Sequence, residues 1–238
     1  MSPVVYTIFG KENESPERLL QKRGLSPHTP FFSLHQIHSD KAIEIHPSSP
    51  PQKTLQGDAL FSVVDLNLKN RHSFALAVKT ADCVPVLIQA EDQNKMIGIA
   101  AIHSGWRGTV QEISKKTLEA LLKKFSHTSE LSLKAWVGPS IQACCYEVGE
   151  DVAQKIQALK GEHFLTPSTR SPKRSTSHFM LDVPGLVCDH LSQFGIAEIE
   201  RSLVCTQCSK EGYASFRRDA DRRGTNWSLI ALQFDQEN

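Results

Sequence analysis

The side chains best suited to chemistry are concentrated in one stretch near the middle of the chain. A carboxylate and a thiol, Asp82 and Cys83, precede an apolar run, Val84–Ala90. A second apolar run, Met96–Ile102, is followed directly by His103. Both runs are short and rich in Val and Ile, as buried strands are, and a charged segment separates them. In an antiparallel pair the start of one strand lies beside the end of the other, so the sequence predicts that Cys83 and His103 are neighbours.

Two kinds of chemistry fit these residues. His38, Cys83 and His103 match no local metal motif, so only folding could bring them together. A His-Cys-His set leaves one tetrahedral position open, as catalytic zinc does, and copper also accepts two imidazoles and a thiolate. Alternatively, His103 could activate the Cys83 thiol as a nucleophile for acyl transfer. The spacing does not separate these interpretations, and purely structural roles for the three side chains also stay open.

Further polar residues could complete a site. Asp82 or another acceptor is needed to fix the tautomer of an imidazole. Asp58 could act as a general base or substrate ligand, with turn capping as the alternative. Arg107, Arg217 and Arg218 are candidates for holding an anion, because a guanidinium pairs bidentately with phosphate or carboxylate. Arg107 is favoured among them, since it lies in the same stretch as Cys83 and His103.

Length and composition exclude several classes of protein. The chain has 238 residues, which is enough for one large domain, and we expect a single domain over residues 1–238. The formal net charge of +1 gives no reason to expect nucleic acid or an anionic membrane as a partner. No apolar run approaches the roughly 20 residues that span a bilayer, and no signal peptide is recognisable. We therefore expect a cytoplasmic protein without an obligate protein partner.

The six cysteines are expected to be reduced thiols, because a long chain without a signal peptide rarely depends on disulfides. Two of them form a Cys-x-x-Cys motif, Cys205-Thr-Gln-Cys208. This motif is a weak zinc or redox signal, since no second Cys-x-x-Cys completes a four-ligand site. A structural or incidental pair is the alternative.

The order of elements predicts the fold class. Strand-like and helix-like segments do not alternate regularly, which favours an α+β fold over a doubly wound α/β fold. A helix is predicted to begin at Thr109, with Glu112 completing a capping box and an apolar stripe continuing to Phe125. The amides at its start would face Cys83 and His103, a natural place for an anion. The basic segment His163–Ser177 is expected to be a surface loop, with a phosphate-binding lid as the alternative.

Taken in order, the polar motifs resemble those of the YfiH-type laccase-domain family, also called the multicopper polyphenol oxidase family. The matching motifs are Gln36-Ile-His-Ser39, Gly57-Asp-Ala-Leu60, Thr80-Ala-Asp-Cys-Val-Pro85, His103-Ser-Gly-Trp-Arg-Gly108, Gly138-Pro-Ser140, Cys144-Cys-Tyr-Glu-Val148, Cys205-Thr206 and Ser215-Phe-Arg-Arg-Asp219. Each motif alone is weak, but the ordered set is highly specific and covers most of the chain.

The resemblance implies a single α+β domain with layered mixed sheets flanked by helices, a fold similar to that of a bacterial toxin with a Cys–His deamidase site. It implies zinc, with copper as the alternative, bound by His38, Cys83 and His103. It also implies phosphorolysis of purine nucleosides, namely adenosine, inosine, guanosine and methylthioadenosine, together with deamination of adenosine. A copper-dependent polyphenol oxidase and a cysteine hydrolase or deamidase using Cys83 and His103 remain the alternatives.

Overall fold

The computed structural model describes residues 3–51, 54–67, 72–92, 96–125, 130–168, 178–196, 198–220 and 224–234. The strands are β1 Val4–Phe9, β2 Phe31–Phe32, β3 Ala42–Glu44, β4 Ala59–Asp65, β5 Phe74–Thr80, β6 Val84–Asp92, β7 Met96–Ser104, β8 Leu131–Val137, β9 Glu147–Gly149, β10 Leu165–Pro167, β11 His178–Leu181, β12 Glu198–Arg201 and β13 Asn226–Gln233. The α-helices are α1 Pro16–Lys22, α2 Trp106–Val110, α3 Ile113–Leu122, α4 Glu150–Ala158, α5 Val183–Ser192 and α6 Phe216–Asp219. None of these helices is long and apolar enough to cross a membrane.

The strands form two large sheets and one small sheet. The first large sheet has the order β12-β8-β6-β7-β4-β3, and the second has the order β1-β13-β5-β2. Both are mixed, because each carries one or two parallel edge pairings on an otherwise antiparallel core. The small sheet has the order β10-β11-β9. The fold is therefore α+β with mixed sheets and flanking helices, as the sequence predicts.

Alternation along the strands builds the layers, since successive side chains of a strand point to opposite faces. Leu60, Leu87 and Ile99 of the six-stranded sheet pack with Leu76 and Ile230 of the four-stranded sheet, so one core lies between the two sheets. The opposite face of the six-stranded sheet packs against α3 and α5. The opposite face of the four-stranded sheet packs against α1. The result is a layered order of helices, sheet, sheet and helix.

The central hairpin confirms the predicted pairing of the two apolar runs. Strands β6 and β7 are antiparallel, with Val84 opposite Ser104 and Pro85 opposite His103. Both strands are longer than predicted, since β6 runs to Asp92 and β7 to Ser104. Burial on both faces explains the continuous apolar runs, because sheet packs on one side and helix on the other. The register places Cys83 and His103 at the same end of the hairpin.

The predicted single helix from Thr109 is wrong, because the segment forms two helices. The first, α2, already begins after Gly105, and Glu112 adopts a left-handed conformation with a φ of 60° that ends the run before α3. The Thr109 hydroxyl donates to the Gly105 carbonyl instead of capping a helix. The Glu112 carboxylate pairs with Lys115. The capping box therefore does not form, and its sequence signal is overridden by the tight turn after His103.

The predicted loop over residues 163–177 is only partly a loop. Its first residues lie in a 3₁₀ turn, Glu162–Phe164, and in β10, which pairs with β11. Residues 169–177, which carry the basic side chains of the lid alternative, lie outside the described residues.

Candidate active site

Three elements bring His38, Cys83 and His103 together. His38 lies in the loop before β3, Cys83 precedes β6, and His103 is near the end of β7. Their potential ligand atoms all lie within 4.8 Å of one another. The two imidazole rings are nearly perpendicular, with centroids 4.8 Å apart. His38 is exposed, Cys83 is half-buried and His103 is buried, so the trio opens to solvent on the side of His38.

Asp58 organises this trio from behind. Its buried carboxylate accepts hydrogen bonds from the backbone N–H groups of Ile37 (3.2 Å), His38 (2.9 Å) and Ser39 (2.6 Å). It also accepts from the Ser39 hydroxyl at 2.7 Å and lies 2.8 Å from Nδ1 of His103. With Nδ1 engaged, His103 presents Nε2 to Cys83 and His38. A carboxylate behind an imidazole is the arrangement that orients metal-binding histidines.

The backbone of His38 is strained, and hydrogen bonds to Asp58 keep it in this conformation. His38 has a φ of 58°, in the left-handed region that β-carbon sterics disfavour. Its N–H donates to Asp58, and so do the N–H groups of the residues on either side. Strain of this kind persists where surrounding contacts over-determine it, and it is concentrated at functional sites.

Gly105 is required for the close approach of these side chains. A β-carbon at this position would lie 2.9 Å from Sγ of Cys83 and 3.3 Å from Cδ2 of His38. The first distance is shorter than a van der Waals contact, so only glycine leaves room for both groups. The turn between β7 and α2 is therefore shaped to the trio.

Burial and hydrogen bonds together set the protonation of the trio. Burial opposes ionisation of the Cys83 thiol, but hydrogen bonds with His103 and His38 outweigh it and lower its pKa to about 6. Burial likewise opposes protonation of His103, but its hydrogen bonds with Asp58 and Cys83 raise its pKa to about 9. Although burial opposes it, hydrogen bonds from His103 and Ser39 hold the pKa of Asp58 well below its usual range. In the absence of a metal ion, the geometry favours a Cys83 thiolate beside a protonated His103.

A small pocket lies beside Cys83. It has a volume of about 40 Å³, and its wall includes Trp106 and Tyr146 together with Asp82 and Gly105. Burial, followed by the negative charge of Cys83, raises the pKa of the Tyr146 phenol to about 12. Tyr146 is therefore protonated at neutral pH and can donate a hydrogen bond. The pocket is too small to enclose a molecule of drug size, so a larger ligand has to bind across the open side of the trio.

Two of the three predicted anion-binding arginines lie around this pocket. Arg107 and Arg217 are both exposed, and the positive charges of both act on the Tyr146 phenol. The Arg217 guanidinium stacks over the Tyr146 ring at 4.8 Å, and the Arg107 guanidinium stacks over the Trp106 ring at 4.5 Å. Arg217 also donates to the Glu147 carbonyl at 3.0 Å. These stacked cations retain donors that can face a bound anion.

Arg218 has a different environment from its neighbour. Its Nη1 donates to the carbonyl of Thr206 at 2.8 Å, and its Nη2 donates to the carbonyl of Tyr213 at 2.7 Å. Nε and Nη2 also donate to the Asp219 carboxylate. These contacts hold the loop after β12 against α6, so the Arg218 guanidinium is used as a structural crosslink.

Asp82 connects the same loop to the pocket. Its backbone has a φ of 84°, and its buried carboxylate accepts from the Thr206 hydroxyl at 2.6 Å and from the N–H of Arg217 at 2.7 Å. Its two oxygens are directed at Thr206 and Arg217, whereas Nδ1 of His103 is directed at Asp58. Of the acceptors left open by the sequence, Asp58 rather than Asp82 holds the imidazole of His103, and Asp82 positions the backbone of Arg217.

Two residues of this site have no clear signal in the sequence. Ser39 contributes two hydrogen bonds to Asp58, and Tyr146 forms a wall of the pocket. Both fall in motifs that carry the family resemblance, but neither has a spacing that indicates its role. Each reaches the site through a loop whose path depends on distant strands, so periodicity does not reveal it.

The chain is similar to known proteins along most of its length. The profile of the multi-copper polyphenol oxidoreductase laccase family matches residues 11–233. A purine nucleoside phosphorylase from Clostridium acetobutylicum is 32% identical over 198 residues, which cover 83% of this chain and 75% of that protein. An adenosine deaminase from an unknown prokaryotic organism is 30% identical over 176 residues, covering 73% of this chain and 64% of that protein.

The fold is also that of a solved relative. The crystal structure of the hypothetical protein YfiH from Bacillus licheniformis superimposes with a TM-score of 0.72 at 23% identity, over 96% of this chain and 93% of that chain. Matched along nearly its whole length, the chain belongs to the multi-copper polyphenol oxidoreductase laccase family.

Proposed function

We propose that this chain is a zinc-dependent purine nucleoside phosphorylase that also deaminates adenosine. The proposed substrates are adenosine, inosine, guanosine and methylthioadenosine. The observation that carries the proposal is the convergence of His38, Cys83 and His103, oriented by Asp58, beside a pocket flanked by two cationic side chains. The names of the phosphorylase and deaminase relatives agree with it.

The donor set fits zinc. Two imidazole nitrogens and one thiolate are ligands that zinc accepts, and three protein ligands leave the fourth position open, as in catalytic sites. Asp58 supplies the carboxylate that fixes the tautomer of His103. A zinc ion held there supplies Lewis acidity and activates water at neutral pH. Copper accepts the same donors and is the alternative metal.

Phosphorolysis requires an anion site close to the sugar. A phosphate oxygen attacks C1′, the bond from C1′ to the base nitrogen breaks, and the base leaves with the bonding electrons and takes up a proton. We assign phosphate binding to Arg107 and Arg217, because both guanidinium groups are exposed beside Tyr146. The Tyr146 hydroxyl, protonated at neutral pH, donates a hydrogen bond to the departing base.

In the deamination of adenosine the oxygen of a water molecule bonds to C6, the bond from C6 to the amino nitrogen breaks, and ammonia leaves with a proton taken from the water. Proton transfer in this reaction is not assigned to Asp58, because both of its oxygens already accept hydrogen bonds and its pKa is depressed. Asp58 and Asp82 are positioning residues in this proposal. Asp58 holds His38 and His103, and Asp82 holds the backbone of Arg217.

The deciding experiment is product analysis of the purified protein with adenosine and with inosine, in the presence and absence of phosphate. We expect phosphate-dependent release of free base, loss of this activity after chelation, and recovery on addition of zinc. Inosine formed from adenosine without phosphate establishes the deaminase. No turnover of nucleosides by fully zinc-loaded protein would refute the proposal.

Two variants test the assigned roles. Arg217→Met removes a charged hydrogen-bond donor worth about 1.5–3 kcal/mol, so we expect the KM for phosphate to rise about tenfold to a hundredfold. Arg18→Met, on an exposed face of α1, is the matched control and leaves the KM unchanged. Cys83→Ala is expected to remove the zinc ion of this site and the activity.

The same preparations distinguish the alternative functions. Oxygen uptake with phenols by copper-loaded protein, without nucleoside turnover, identifies a polyphenol oxidase. Activity abolished by alkylation of Cys83 but indifferent to chelation identifies a cysteine hydrolase or deamidase.

A further inference from the structure

A second cluster of metal-binding side chains lies outside the site described above. Cys144 and Cys145 lie in the loop between β8 and β9, and Cys205 and Cys208 lie in the loop after β12. A parallel bridge between Ser140 and Cys205 joins the two loops. The neighbouring pair of cysteines thus supplies the two ligands that the isolated Cys-x-x-Cys motif lacks.

The sulfur atoms have the spacing of a tetrahedral thiolate site. Sγ of Cys144 lies 3.7 Å from Sγ of Cys145 and 3.7 Å from Sγ of Cys208, and all four sulfurs lie within 4.8 Å of one another. A tetrahedral ion with Zn–S bonds of about 2.3 Å separates its sulfur ligands by about 3.8 Å. Disulfide formation needs about 2.05 Å, so the cluster is not arranged as disulfides.

The surrounding backbone favours a thiolate at one member of this cluster, Cys205. The N–H of Gln142 points at Sγ of Cys205 at 3.5 Å, which is a hydrogen bond of the kind that stabilises a negatively charged sulfur. Cys145 and Cys205 are buried, whereas Cys144 and Cys208 are exposed. An ion can therefore enter from the surface past Cys144 and Cys208, and once it is bound, Cys145 and Cys205 shield it from water on the inner side.

We propose that Cys144, Cys145, Cys205 and Cys208 bind a structural zinc ion, distinct from the metal of the His38 site. Four thiolates complete the tetrahedron and leave no open position, which is the pattern of structural rather than catalytic zinc. Four sulfur ligands in this geometry select zinc or iron among the common metals, and the mutual distances within 4.8 Å fit a single ion.

The ion would clamp the wall of the pocket. Cys145 directly precedes Tyr146, and the residue after Cys205 is Thr206, whose hydroxyl bonds to Asp82. The Asp82 carboxylate in turn accepts a hydrogen bond from the N–H of Arg217. Joining the two loops therefore fixes both the Tyr146 ring on the pocket wall and the Arg217 side chain stacked on it. This structural role does not depend on the reaction proposed above, so its test does not use activity.

The test is the zinc content of reconstituted protein, measured by mass spectrometry under reducing conditions. We expect two zinc ions per chain in the wild type. Cys144→Ser combined with Cys208→Ser changes only the two exposed ligands and should retain one. His38→Ala should also retain one, and Cys188→Ser, a thiol outside both clusters, should retain two.

Two measurements on the unaltered protein keep the proposal falsifiable if the double variant does not fold. Titration of the wild type with a mercurial should release one zinc ion as four thiols react, and the cobalt-substituted protein should show the intense sulfur-to-cobalt charge-transfer bands of four thiolate ligands. No zinc released as the thiols of the cluster react, iron in place of zinc, or thiols of the cluster that react equally fast with and without zinc would each overturn it.

Discussion

Replacing Asp58 with asparagine tests whether its carboxylate orients His38, Cys83 and His103. In the native site the two oxygens accept three backbone N–H groups, the Ser39 hydroxyl and Nδ1 of His103. Asparagine has nearly the same shape but keeps a single acceptor oxygen. With that oxygen on the side of His38 and His103, its amino group faces the N–H groups of Ile37 and Ser39.

The magnitude follows from the lost contacts. The Ser39 hydroxyl can rotate and accept from the new amino group, whereas two backbone N–H donors lose their charged acceptor. Each such hydrogen bond is worth about 1.5 kcal/mol or more, so Asp58→Asn should lower the free energy of unfolding by about 3 kcal/mol. The two N–H donors that lose the Asp58 carboxylate belong to Ile37 and Ser39, which flank the strained backbone of His38. Because His38 is a proposed zinc ligand, we also expect zinc affinity to fall about 10–100-fold.

Zinc affinity is measured by competition with a chromophoric chelator, and stability by urea unfolding of the metal-free protein. Glu119→Gln, the same carboxylate-to-amide change on an exposed position of α3, is the matched control and should alter neither quantity. If Asp58→Asn binds zinc within twofold of the wild type, the carboxylate does not orient the ligands. If stability is also unchanged, the hydrogen bonds from the N–H groups of Ile37 and Ser39 to the carboxylate make no net contribution to it.

Three further predictions concern the same pocket. In metal-free protein, the rate of Cys83 alkylation should fall as the pH drops through about 6, because the lowered pKa keeps the thiol ionised only above that pH. A rate midpoint near pH 9, measured by peptide mapping, would contradict this. Gly105→Ala should weaken zinc binding at least tenfold, because the added β-carbon would lie 2.9 Å from Sγ of Cys83. Gly149→Ala, at the start of α4, is the control and should not weaken it. Equal zinc affinities of the two variants would refute the steric reasoning. Tyr146→Phe should keep full zinc content and lower kcat at least tenfold by removing a hydrogen-bond donor, and an unchanged kcat would exclude that role.

Much of the fold could be predicted because the strands of the central hairpin carry their own signal. Val84–Ala90 and Met96–Ile102 are buried on both faces, and a strand in that position reads as a continuous apolar run. Their antiparallel pairing followed from the short charged connection. The adjacency of Cys83 and His103 is a consequence of that pairing, and it is confirmed.

The predicted helix start at Thr109 is wrong because tertiary packing overrides the local capping-box signal. Thr109 and Glu112 have the spacing of a capping box, yet Thr109 is buried and bonded to the Gly105 carbonyl. Packing of the turn beside Cys83 sets the true start at Trp106. Capping preferences are worth about 1 kcal/mol, which a buried turn can override.

The four-cysteine cluster shows a different limit of the sequence. Cys205 and Cys208 form a recognisable pair, but Cys144 and Cys145 are adjacent and match no zinc spacing. The parallel bridge between Ser140 and Cys205 joins loops that are more than 60 residues apart in the chain. Such a contact depends on strand order in the sheet, which hydrophobic patterns do not encode.

The sequence by itself determined the α+β class, the central hairpin and the identity of the three residues His38, Cys83 and His103. These features depend on residue type, on short-range periodicity and on ordered motifs, which can be read along the chain. Only the tertiary structure decided that Asp58 rather than Asp82 holds His103, and that Arg217 stacks on Tyr146 while Arg218 ties two loops together. Two neighbouring residues of the same type take different roles because their side chains leave the backbone in different directions, and long-range packing sets those directions.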